Sequence, residues 1–268
     1  MATSVKITTT TDIEIKSLVN SIGNDLTSGS TTIARRTVEA FFRAAELLSD
    51  AGRIGELSRV SYDFTAAKPS MAAIKNIIDY CIRLIESEEG NISYSRMASI
   101  VISRINVARQ ETIATALQNL RALYPSRCRL LTCSYSSAVL ELIYELVKSG
   151  INTSAIILES AWQTYYYGIM LAEECNSRGI KTMTIKDTDI AEGILQSDCT
   201  VIGADALTAD GGAVNGIPSL ELASHSAGRI PFFVIAESFK SCDTAVVEDG
   251  FCYIPGEFIT TIFSDVIL

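Results

Sequence analysis

Four polar segments, each directly after a short apolar run, hold most of the side chains that could do chemistry. Thr132-Cys133-Ser134-Tyr135-Ser136-Ser137 follows Leu130-Leu131, and Glu159-Ser160-Ala161 follows Ile156-Ile157-Leu158. Gly203-Ala204-Asp205, with Asp210-Gly211-Gly212 beyond it, follows Val201-Ile202, and Glu237-Ser238-Phe239-Lys240 follows Val234-Ile235-Ala236. Hydroxyls and carboxylates of this kind hydrogen-bond a polar ligand, and a carboxylate beside a thiol can move protons. Each segment also has a plainer reading. The Ser/Thr run can cap a helix, Asp205 can close a turn, Asp210-Gly211-Gly212 is turn chemistry in any protein, and Glu159 and Glu237 can be solvated. Their common position after apolar runs points to a site more strongly than any one of them.

The elements that must carry these groups alternate. Arg129–Thr132, Ser154–Glu159, Lys181–Ile185, Cys199–Gly203, Ile230–Ala236 and Ile259–Phe263 read as strands. Helical stretches fall between them at Ser136–Ser149, Tyr165–Gly179, Ile190–Gln196 and Leu220–Ala227. Short strands alternating with helices give a mostly parallel, doubly wound sheet. In such a sheet ligands bind beyond the carboxyl ends of the strands, so the four polar segments are expected to converge on one crevice.

The first half is helical. Thr31–Ser49 places Ile33, Val38, Phe41, Phe42, Ala45 and Leu48 near one face, with Thr31 or Thr32 able to cap it. Ala66–Ile85 follows with Pro69 in its first turn, and Ser93–Leu123 carries a long apolar stripe. The expected organisation is therefore an N-terminal helical domain, 1–125, and a Rossmann-like α/β domain, 126–268.

Composition narrows the function. The net charge is −9, which repels nucleic acid and anionic lipid as general partners. No apolar run reaches the ~18 residues needed to span a bilayer, and the opening MATSVKITTT has no basic-then-apolar segment. Seven cysteines without a CxxC pair, and a single histidine, His225, fit reduced thiols in a cytoplasmic protein with no zinc or other metal site. GxGxxG, GxxxxGK[ST] and GxSxG are absent, so no cofactor is expected and a Ser–His–Asp triad is not supported. Tyr165-Tyr166-Tyr167 reads as packing or interface on a helix.

Gly203–Ser219, GADALTADGGAVNGIPS, resembles the loop GAD(A/S)-x-x-x-NG-x-x-x-NKIGT. Leu131–Ser136 resembles the strand end LTH-C-x-S or LTH-A-Y-S, and AESFK at 236–240 and ITTIFSD at 259–265 resemble closing strands of the same family. This is the superfamily of the alpha, beta and delta regulatory subunits of translation initiation factor 2B, which also holds the methylthioribose 1-phosphate and ribose 1,5-bisphosphate isomerases.

The resemblance implies two branches. An isomerase would use a cysteine after LTH together with the aspartate of GAD. Here Asp205 stands at the aspartate, but Ser134 stands at the cysteine, and the adjacent Cys133 falls on the histidine position. The phosphate-binding positions depart too: Ser28-Gly29-Ser30, Ala161 and Gly216 stand where the enzymes have cations, and only Lys68 keeps one. A phosphate dianion needs several charge-assisted donors. The expected function is thus a non-catalytic, alpha-like subunit of the guanine-nucleotide exchange factor for initiation factor 2. Its implied partners are a second copy, the beta and delta subunits and initiation factor 2 alpha, and a sugar phosphate or nucleotide could bind a vestigial site. The residues expected there are Thr132, Ser134, Tyr135, Ser136, Glu159, Asp205, Asn215 and Lys240, with Lys68. The alternative is a sugar-phosphate isomerase using Asp205 and Cys133.

Overall fold

The computed structural model describes residues 9–88 and 92–265. Residues 1–8, most of the opening segment considered for targeting, lie outside them. Two compact units form, Met1–Pro69 with Ile74–Arg104, and Ser70–Ala73 with Ile105–Leu268.

The first unit is helical. It contains α1 (Thr10–Gly23), α2 (Ser30–Asp50), α3 (Leu57–Ala66), most of α4 (Ala72–Glu88) and the start of α5 (Tyr94–Leu123). A reciprocal cap starts α1: Asp12 N–H donates to Thr9 Oγ1 at 3.2 Å, and Thr9 N–H donates to Asp12 Oδ2 at 3.0 Å. Ile33, Val38, Phe41, Phe42, Ala45 and Leu48 of α2 are all buried, and Phe41 meets Phe64 edge-on with ring centres 5.8 Å apart. Two local expectations change. Gly29, with extended backbone, takes the cap position of α2 in place of Thr31 or Thr32. Pro69 sits in the turn between α3 and α4 rather than in a first helical turn, because the chain reverses there and Ala66 ends the preceding helix.

The second unit holds the expected α/β architecture and, by its contacts, also takes in the second half of α5. Its six-stranded sheet uses β1 (Arg127–Thr132), β2 (Asn152–Leu158), β5 (Lys181–Ile185), β6 (Cys199–Gly203), β9 (Phe232–Ile235) and β12 (Thr261–Phe263). The order is β12-β9-β6-β1-β2-β5 and every pairing is parallel. Side chains alternate between faces as a pleat requires. Leu130, Ile157, Val201 and Phe233 meet α6 (Ser137–Lys148), α7 (Tyr167–Ser177) and the second half of α5 on one face. Leu131, Ile156, Ile202 and Val234 meet α8 (Ile190–Leu195) and α9 (Ser219–Ser226) on the other. Burial on both faces explains the continuous apolar runs. Among the described residues no helix is long and apolar enough to cross a membrane.

Two features escaped the periodicity. Gly203–Asn215 is a hairpin rather than a loop: β7 (Ala206–Thr208) pairs antiparallel with β8 (Ala213–Gly216) across Asp210-Gly211-Gly212. β10 (Ser241–Cys242) and β11 (Phe251–Ile254) complete a second, four-stranded sheet. Tyr165 and Tyr166 also leave the helix, forming β4 (Tyr165–Tyr166) against β3 (Ala161–Trp162). Strands this short carry too few residues for an alternating pattern to show.

Candidate functional site

Strand order decides where a ligand can enter. β1 is the first strand of the large sheet and β6 the fourth, yet they lie side by side, Leu130 opposite Cys199 and Leu131 opposite Thr200. Connections leave this point in opposite directions, which opens a crevice above the two carboxyl ends. Thr132 and Gly203 close those strands, so the Ser/Thr run and the Gly-Ala-Asp segment flank the same opening.

Hydrogen bonds and close contacts connect neighbouring strand ends. Ser134 N–H donates to Ser160 Oγ at 2.7 Å, which ties the end of β1 to the end of β2. Ser160 and Ala161 N–H groups donate to the two Asp187 carboxylate oxygens, at 2.8 and 2.9 Å, bringing in the end of β5. Ser136 caps α6, accepting from Val139 N–H at 3.3 Å. Gly203 packs so closely on it that any Cβ would collide with the serine hydroxyl. Ser134, Ser160 and Gln163 all have positive φ, 62°, 52° and 52°. Left-handed backbone at residues with a Cβ is strained and gathers at functional sites.

Cys133, the residue after β1, is fully buried. Its sulfur lies 3.1 Å from Ser219 Oγ. That hydroxyl gives its one proton to Gly216 O at 2.6 Å and accepts from Asn215 Nδ2 at 2.8 Å. The remaining role for Ser219 Oγ is as an acceptor, so Cys133 is the donor and keeps its proton. Burial pushes this thiol up to about 12. A thiol held there is not a base or nucleophile near neutral pH.

At the end of β9 the chemistry is ionic. Glu237 is fully buried between Arg109 Nη1 on α5, at 2.9 Å, and Lys240 Nζ, at 2.9 Å. Arg109 also reaches Glu141 at 2.9 Å and Ser137 Oγ at 3.1 Å, joining this cluster to the start of α6. Burial alone would raise the Glu237 carboxyl, but Lys240 and Arg109 outweigh it and bring it down to about 2.

The remaining expected residues are distributed as follows. Thr132 is fully buried, and its Oγ1 has no hydrogen-bond partner among the described residues. Tyr135 is half-buried against the α6–α7 side of the core, and burial raises its phenol. Glu159 is half-buried, with its N–H donating to Ile185 O at 2.9 Å. Asp205 is half-buried at the start of the hairpin, its N–H donating to Val214 O at 2.8 Å. Asn215 and Lys240 are committed to the two clusters just described, and Lys68 belongs to the helical unit. Sequence reasoning missed Asp187, Ser219 and Arg109. Asp187 follows a strand run like the other polar ends and could have been found that way. Arg109 stands four residues from both Ile105 and Ile113 on the apolar stripe of α5, where a charge implies a buried partner.

The profile of the initiation factor 2 subunit family (IF-2B) matches residues 26–266. A ribose 1,5-bisphosphate isomerase of Archaeoglobus fulgidus is 29% identical over 217 residues, covering 79% of this chain and 67% of that protein. A putative translation initiation factor eIF-2B subunit 2-like protein of Pyrococcus abyssi is 28% identical over 225 residues, covering 83% and 78%. Among solved structures, the Pyrococcus horikoshii translation initiation factor eIF-2B superposes with a TM-score of 0.78 at 22% identity, covering 93% of this chain and 94% of that one.

Proposed function

The chain belongs to the initiation factor 2 subunit family, and within it we propose that this protein is a non-catalytic, alpha-like regulatory subunit of the guanine-nucleotide exchange factor for translation initiation factor 2. The observation that carries this reading is the proton held on Cys133. An isomerase of this fold would need a thiol to work with Asp205, and the one beside the aligned position is buried and donates to Ser219. Ser134, at the aligned position itself, offers only a hydroxyl, a far weaker acid.

The test has two arms. The purified chain should give no turnover of ribose 1,5-bisphosphate or methylthioribose 1-phosphate at high protein concentration. Expressed in its native cell, it should form a homodimer and co-purify with beta-like and delta-like subunits. Turnover abolished by Asp205→Asn would replace this reading with the isomerase alternative, which Asp205 at the end of β6 keeps in view. A sugar phosphate or nucleotide bound in the crevice without conversion is compatible with the regulatory role. The buried Thr132 hydroxyl lacking a partner favours such a ligand, since groups of that kind are costly to leave unpaired.

A further inference from the structure

The helical unit carries a basic contact that the strand-end crevice does not explain. From Tyr94 to Gln110, α5 has no aspartate or glutamate, in a chain of net charge −9. Within that stretch the Arg104 guanidinium carbon lies 4.9 Å from the centre of the Tyr80 ring, and that of Arg83 lies 5.9 Å from the same centre. Both arginines are exposed. Three arginines of this unit are each paired with two carboxylates: Arg43 with Glu14 and Glu46, Arg53 with Asp12 and Glu56, and Arg59 with Glu56 and Asp63. Among the described residues, no carboxylate lies within ion-pair distance of Arg83 or Arg104. Two like charges thus share one ring, and the electron-rich face of the tyrosine offsets only part of their repulsion.

We propose that Arg83, Tyr80 and Arg104 form a docking point for a short carboxylate-rich segment of a partner protein. Guanidinium forks match carboxylates in two-point geometry. Seating them against a ring reduces the freedom lost when a partner binds, and tyrosine and arginine are the residues that most often anchor interfaces. Charge selects the partner class. A nucleic acid or an anionic membrane extends past the local patch into the field of an acidic protein. A short acidic segment stays within roughly one Debye length, about 8–10 Å, of the two arginines.

The test uses the full chain and a short fluorescein-labelled poly-glutamate peptide, followed by fluorescence anisotropy at low salt. Saturable binding is expected, weakening as salt rises. The R83Q/R104Q variant should bind roughly tenfold or more weakly, the scale of two charge-assisted pairs. Arg59→Gln, another exposed arginine of this unit, should bind like wild type. Circular dichroism checks that the double variant is folded, as expected for exposed positions. The proposal is overturned by a wild-type chain that does not saturate, by equal affinity in R83Q/R104Q, by an equal loss in Arg59→Gln, or by tighter binding of an RNA oligonucleotide or anionic vesicles than of the peptide.

Discussion

The ends of β1 and β9 are both buried and both polar, yet they solve burial in opposite ways. After β1, Cys133, Ser219 and Asn215 are neutral and hydrogen-bonded to one another around the Ser219 hydroxyl. After β9, Glu237 stays ionised because two cations were buried with it. A strand-end position therefore does not by itself make an acid or a base. What decides is whether a counter-charge was desolvated alongside the group. The neutral cluster loses little when perturbed, and the ionic one loses much.

The largest effect should come from breaking the ionic cluster. Glu237→Ala leaves Arg109 and Lys240 buried without their anion and should cost about 3–5 kcal/mol in denaturant unfolding. The same cluster sets an acid limit. Folded Glu237 titrates at about 2, below its ordinary 4.5. Its contribution is therefore complete above pH 4.5 and is lost as pH falls from there toward 2. Unfolding followed across that window should be steeper in wild type than in Glu237→Gln.

Ser219→Ala should cost less, about 1–3 kcal/mol, since it strands neutral donors on Asn215 and Cys133. Equal losses in Ser219→Ala and Glu237→Ala would erase the contrast between the two ends. The smallest expected effect is none at all. In the folded chain at pH 8, Cys133 should resist iodoacetamide while Cys242, only partly buried, reacts, as peptide mass spectrometry would resolve. Rapid labelling of Cys133 under native conditions would instead make it an available nucleophile and strengthen the isomerase alternative.

Much of the second unit was legible because its signal is local. Parallel strands buried on both faces read as continuous apolar runs, and all six large-sheet strands end within a residue of the expected position. The helical unit was less so. α1 and α3 went unassigned, and the Ala66–Ile85 expectation ran across the turn that separates two helices. The small sheet stayed hidden because strands of two to four residues have no period to detect. Ser136 illustrates a reading in which the plain alternative held: it caps α6.

By itself the sequence determined the alternation of strand and helix, the polar segment after each strand, and the serine that stands at the family's cysteine position. These depend on neighbours a few residues apart, where periodicity and residue type carry the information. Only the tertiary structure decided that β1 and β6 are adjacent, that the Cys133 sulfur lies against a hydroxyl 86 positions away, and that Glu237 meets an arginine 128 positions away. Contacts at those separations are set by strand order and by which helix covers which face. Their electrostatic consequences exist only once water has been excluded.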